Sequence, residues 1–274
     1  MGVFFLDDLV AYWELDEASG AVTRVDEHTA GHDFLPIGTG VPAQAFKLNN
    51  GTKGSDNIAN YLSIASHTDF DPTAAGGGFT IMCWASPANL NDNQPIITRD
   101  DTGSRQWGLM GLQSTDKWRF HASNDGTSIA SASWGSTYSA LDVNHIVCVI
   151  EWDNDRIGIS IDRGAFVYTA LTMPIPTVTE AINLHHSLQA NVAEEARCDS
   201  LGIWQRLLNT EEMDAHYNGG GVPPAYSTFV DSAPALGRIL EATVSSRVVL
   251  SRTISGLVAQ TKTISCKVTA TKTV

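Results

Sequence analysis

Basic residues are scarce in this chain: 17 Lys and Arg face 30 Asp and Glu over 274 residues, a formal net charge of −13. Such a body repels phosphate backbones, which argues against a nucleic-acid partner. No window approaches the ~18 apolar residues that a membrane span requires. The opening Met-Gly-Val-Phe-Phe-Leu-Asp-Asp has no basic stretch and its apolar run breaks at Asp7, so no secretory signal is expected. Leu6 stands where a myristoylation signal needs Ser or Thr. Cysteine is limited to Cys83, Cys148, Cys198 and Cys266, with no CxxC pair. Three of them fall in apolar strand patterns and read as buried thiols, kept reduced in a cytoplasm.

Several chemistries also lack their signatures. There is no Gly-x-Ser-x-Gly elbow, and neither Gly76-Gly77-Gly78 nor Gly219-Gly220-Gly221 runs into the Gly-Lys-Ser/Thr of a phosphate loop. Glu151 lies in an apolar strand without a carboxylate partner. His185 and His186 are adjacent, so on a strand they point to opposite faces and cannot share an ion; they read as a surface pair. Ser123-Asn-Asp125-Gly126-Thr reads as a hairpin turn.

What is present is strand patterning. Hydrophobic residues make up 43% and charged residues 17%, enough to bury a core. Ile157, Ile159 and Ile161 alternate with Gly158 and Ser160, and Trp118 and Phe120 alternate with Lys117, Arg119 and His121. Asp125-Gly126, Asp153-Asn154-Asp155 and Asp162-Arg163-Gly164 separate such runs as turns do. Helical periodicity is nearly absent until Asn209, which caps a short helix with Glu212 as the reciprocal partner. Gly219–Gly221 and Pro223-Pro224 end it. Many short antiparallel strands of this kind predict a two-sheet jelly roll.

The stretch Ala196–Gly220, a buried strand over Cys198–Leu207 followed by the capped helix, resembles the closing signature of concanavalin A-like, laminin G-type domains. Leu9–Gly20 resembles the opening strand of that family, Asn60–Ile64 with Phe79–Pro87 its next strand pair, and His145–Val167 its central meander. The resemblance covers about residues 9–221. It implies an all-β, concanavalin A-like sandwich of two antiparallel sheets with one short helix, over residues 1–224. It also implies a structural Ca²⁺ where the first and last strands pair, with Asp199, Glu14, Asp16 and Asp26 as ligands. Related glycosidases need two close carboxylates on the cleft sheet. Glu14 and Asp16 share a strand face but belong to the opening strand, away from the cleft.

For glycan binding, an aromatic platform with planar polar groups is expected, and the candidates are Trp107, Trp134 and Tyr138 in loop-like contexts with Arg119 and His121 on the outward side of their strand. Trp13, Trp84 and Trp204 read as core. Residues 225–274 change character: six basic residues against two acidic give 6 − 2 = +4, leaving −17 for residues 1–224. Arg252-Thr-Ile-Ser, Lys262-Thr-Ile-Ser and Lys272-Thr-Val recur at ten-residue intervals in this strand-prone tail. Together these features predict a non-enzymatic lectin-like structural protein of a phage or virus, displayed on the virion surface. It would bind polysaccharide, cell-surface glycan or a partner protein, with the tail mediating attachment or homo-oligomerisation. A polysaccharide-cleaving glycoside hydrolase and a purely architectural capsid decoration protein are the alternatives.

Overall fold

The computed structural model describes residues 5–18, 23–29, 31–39, 43–47, 49–55, 59–73, 77–101, 103–187, 192–193 and 195–230. In chain order the strands are β1 (Leu9–Trp13), β2 (Leu35–Ile37), β3 (Ala43–Phe46), β4 (Asn49–Lys53), β5 (Tyr61–Ile64) and β6 (Gly78–Ser86). There follow β7 (Gln94–Arg99), β8 (Trp107–Leu112), β9 (Lys117–Ala122), β10 (Ala130–Ser133), β11 (Asn144–Glu151) and β12 (Arg156–Ile161). The last are β13 (Val167–Ala170), β14 (Ile182–Leu184), β15 (His186–Ser187), β16 (Val192–Ala193) and β17 (Arg197–Trp204), before helix α1 (Thr210–Tyr217).

Two large antiparallel sheets result, as the alternation requires, with β15 and β16 paired in a separate two-stranded ladder. The first has the order β13-β12-β11-β6-β17-β4-β3, with β1 also paired to β17. The second has the order β10-β9-β8-β7-β14-β5-β2. Inward residues of both sheets, among them Phe79, Ile81, Cys148, Ile159, Leu109 and Phe120, form one core. Cys83, Cys148 and Cys198 are buried free thiols, as their apolar contexts predict.

The predicted pairing of the first and last strands is present: Trp13 lies opposite Leu201 and Leu9 opposite Trp204. β17 ends at Trp204, short of the expected Leu207. One edge of β17 divides between β4 at Arg197 and Cys198 and β1 from Leu201 onward. The bulge that permits this lies between Asp199 and Gly202, with Ser200 at φ 48°.

The outer faces of the two sheets differ. That of the first sheet is covered by a second apolar cluster that includes Phe5, Tyr12, Met82, Val149, Trp204 and Phe229. α1 sits here, held by the predicted capping box: Asn209 accepts from the Glu212 N–H and Glu212 accepts from the Asn209 N–H. The Arg206 guanidinium holds the same Glu212 carboxylate at 2.6 and 2.8 Å. Residues 225–230, assigned to the tail by composition, pack here as well: Phe229 lies 4.5 Å from Phe5 and 4.7 Å from Tyr12, centroid to centroid. The chain divides into two units, Met1–Ala233 and Pro234–Val274. Cys266 and the tail repeats lie outside the described residues. Among the described residues, no helix is long and apolar enough to cross a membrane.

Candidate functional site

The outer face of the second sheet is polar, and it carries an open cavity of about 280 Å³. Asp100, Arg105, Met110, Arg119, His121, Ile129 and Ser187 line it. The alternation of β9 turns Trp118 and Phe120 into the core, which leaves Arg119 and His121 on the outer face. Register places Met110 beside Arg119 and Gly108 beside His121. The His121 ring lies across Gly108, where a Cβ would stand 2.6 Å from its Cε1, so only glycine leaves room for it.

The buried His121 ring meets Asp100 through Nε2, 3.2 Å from Oδ2. Burial pushes the imidazole pKa down against the opposing pull of Asp100, so the ring is neutral. With the Asp100 oxygen as acceptor, Nε2 carries the proton and Nδ1 is a bare acceptor. That Nδ1 has no hydrogen-bond partner among the described residues, nor has Arg119 Nε. The Arg119 guanidinium touches Met110 Sδ through Nη2 at 3.0 Å. Ser187 Oγ lies 3.4 Å from the other Asp100 oxygen. Two guanidiniums against one carboxylate make the cavity locally cationic in a chain of net charge −13.

The site therefore brings together two of the five residues anticipated for glycan contact, Arg119 and His121. The three aromatic candidates are placed differently. Trp107 opens β8 facing inward, fully buried, with Nε1 donating to the Phe70 carbonyl at 3.3 Å. Tyr138 is buried against Trp118, 5.1 Å between centroids. Trp134 is half-buried against the core and its ring covers Gly164, where a Cβ would meet it at 2.3 Å. His185 and His186 are likewise not a surface pair: both are buried, and His186 stacks on Tyr61 at 4.2 Å. Asp100, Arg105, Met110, Ile129 and Ser187 had not been singled out from the sequence.

The four anticipated calcium ligands surround β1 without converging. Asp26 Oδ1 accepts from the Tyr12 and His28 N–H groups at 2.9 Å each, and Oδ2 accepts from the Thr29 N–H at 3.1 Å. Glu14 accepts from the Tyr226 N–H at 2.5 Å. Asp199 is fully buried at the bulge and accepts from the Ser200 hydroxyl at 3.1 Å. Asp16 is half-buried beyond the end of β1. No three of these carboxylates lie within 4.8 Å of one another. Backbone N–H groups already occupy Asp26, which acts as the cap of the 26–29 turn.

No family model matches the chain, and no curated protein matches it in sequence. Solved structures match its fold. The binding domain of Paraclostridial Mosquitocidal Protein 1 superposes with TM-score 0.63 at 15% identity, over 79% of this chain and 53% of that one. The botulinum neurotoxin type C structure whose description makes cell entry dependent on two ganglioside molecules gives 0.58 at 12%, over 78% and 51%. Trypanosoma rangeli sialidase in complex with sialic acid gives 0.50 at 13%, over 75% and 32%. The chain spans about half the length of the toxin chains and a third of the sialidase chain. At these identities what is shared is the fold, a two-sheet β-sandwich.

Proposed function

We propose that this chain is a non-enzymatic module that binds glycans through the outer face of the second sheet, with an anionic sugar as preferred ligand. The observation that carries the reading is the pair of unpartnered polar atoms, Arg119 Nε and His121 Nδ1, on residues lining an open cavity. Buried polar atoms ordinarily find partners, so an orphaned donor and acceptor together suit a group that brings both, such as a sugar hydroxyl. A sugar carboxylate would sit opposite Arg105 and Arg119, while Met110 and Ile129 offer apolar surface to ring C–H groups. The ganglioside and sialic acid named for two fold neighbours support this by analogy of fold alone.

Hydrolysis is less well supported. Among the described residues Asp100 is the one carboxylate lining the cavity, whereas a glycosidase needs two, roughly 5–9.5 Å apart. Ser187, Asp100 and His121 do not form a nucleophile relay either, because Asp100 stands between the serine and the imidazole. The setting we propose is a virion surface, with the basic tail attaching or oligomerising the module. The charge contrast of +4 against −17 and the strand-prone repeats support that part.

A glycan array of acidic and neutral sugars, probed with full-length protein and Arg119→Ala, tests the reading. The expected result is binding of acidic glycans, weakened at least tenfold in the variant, since a charged hydrogen bond is worth about 1.5–3 kcal/mol. No reducing ends should be released. A blank array with folded protein would overturn the proposal in favour of the architectural role.

A further inference from the structure

A second cluster lies apart from the cavity lining, at His32, His67 and Asp69. His32 precedes β2; His67 caps, and Asp69 lies within, the turn Thr68–Phe70 that follows β5. Their ligand atoms all lie within 4.8 Å of one another. His32 Nε2 stands 3.4 Å from Asp69 Oδ2, and His67 Nδ1 stands 3.1 Å from the same oxygen. Zn²⁺ bonds of 2.0–2.1 Å in a tetrahedron put neighbouring ligand atoms roughly 3.3 Å apart. Two edges of the triangle already match that spacing.

The support behind the cluster is also what a metal site uses. His32 is buried at 3% exposure against Phe70, 4.7 Å between centroids. Its other ring nitrogen, Nδ1, faces Asp26 Oδ2 at 3.5 Å, and three backbone N–H groups fix that carboxylate. A carboxylate behind a ligating imidazole orients the ring and raises its basicity. The backbones are held as well: the His32 carbonyl accepts from Trp13 Nε1 at 2.9 Å and the His67 carbonyl from Arg99 Nη2 at 3.1 Å. His67 Nδ1 accepts the Asp69 N–H at 3.3 Å, a long hydrogen bond within the same turn. A bound metal would replace that hydrogen bond and the two contacts of the imidazoles with Asp69 Oδ2.

We propose that His32, His67 and Asp69 form a site for a borderline-soft divalent cation, zinc in the first instance. Two imidazoles and one carboxylate suit zinc and its transition-metal neighbours and do not suit calcium, which takes oxygen ligands. With three protein ligands, the fourth position is open to water or an outside donor. Bound metal would tie the segment before β2 to the turn after β5, stapling one rim of the second sheet.

Thermal unfolding of full-length, tag-free protein in Zn²⁺ and in chelator tests the assignment. At a hundredfold excess of zinc over its Kd the expected rise in Tm is roughly 5–10 °C. His67→Ala and Asp69→Asn alter half-exposed side chains, so both variants should fold, keep the metal-free Tm within a few degrees and lose the shift. Co²⁺ titration should give the visible absorption of a four-coordinate site in wild type and none in the variants. An equal Tm in zinc and chelator, or a shift retained by either variant, would overturn the proposal.

Discussion

Acid should loosen this fold well above the pH at which carboxylates titrate, because its buried histidines are neutral. His185 and His216 are fully buried, and burial pushes both imidazoles down to about 3. In the unfolded chain each titrates near 6.5. The unfolded state therefore takes up protons that the folded state refuses, and stability falls as the pH drops below 6.5. Between pH 7 and pH 5 one such histidine loses about 1.9 kcal/mol, and the pair about 4 kcal/mol. This figure is insensitive to the folded value so long as that value lies well below 5. His145 and His121 are also held down by burial and act in the same direction. His32 opposes them: hydrogen bonding to Asp26 raises its pKa, so it favours the folded state as protons bind. Against a typical total of about 5–15 kcal/mol, a net loss near 4 is large.

The geometry shows where the strain enters. His216 Nε2 donates to the Ser200 carbonyl at 3.1 Å, so its Nδ1 must accept, and it accepts from His145 Nε2 at 2.9 Å. A proton on His216 Nδ1 sets two donors face to face beneath α1. Denaturant unfolding of the full chain at pH 7 and pH 5 measures the effect. His216→Gln should be less stable at pH 7 yet lose about 1.9 kcal/mol less on acidification. A wild type that changes by under 1 kcal/mol between the two pH values, or a glutamine variant with the full acid slope, would refute the reasoning.

Gly108→Ala should cost about 1–3 kcal/mol through overpacking, since its Cβ would stand 2.6 Å from the His121 ring, and should weaken glycan binding along with it; calorimetry on one sample reads both. Phe229→Ala should cost about 3–5 kcal/mol, because the ring is buried between Phe5, Tyr12 and Tyr226. By the same contacts a chain ending at Ala233 should melt near the full-length temperature, and one ending at Pro224 should melt well below it.

The sandwich and its closure were legible because they rest on local signals. Alternation in β9 and β12 fixes which side chains turn inward, and the Asn209–Glu212 box needs four consecutive residues. Trp107 misled because Gly108 and Gly111 interrupt its strand pattern and resemble a loop. In the fold Trp107 and Leu109 face the core, while Gly108 sits on the outer face to admit His121. Tyr138 lies in a Ser- and Thr-rich loop, and only packing on Trp118 buries it. Asp100 and Ser187 meet across 87 positions, a contact set by strand register, which one sequence does not reveal. The Asp26 oxygens are committed by turn geometry at residues 26–29 that residue type alone does not specify.

The difference between the two outer faces follows from the same accounting of polar groups. On the first sheet, Tyr12, Met82, Val147, Val149 and Trp204 point outward and must be covered; the 5–9 segment, α1 and residues 225–230 cover them. That cover brings His145 and His216 into the interior, so this face carries one part of the acid response, while His185 and His121 carry the other part on the second sheet. On the second sheet, the outward positions carry Thr98, Asp100, Met110, Arg119 and His121, a set that cannot be covered by apolar chain without stranding charge. A glycan that shields the Arg119 cavity should leave amide exchange beneath α1 unchanged at pH 7, and a drop to pH 5 should raise exchange both beneath α1 and around His185. Protection spreading from the cavity to α1 on ligand binding would show that the two faces are coupled through the core and that this division is wrong.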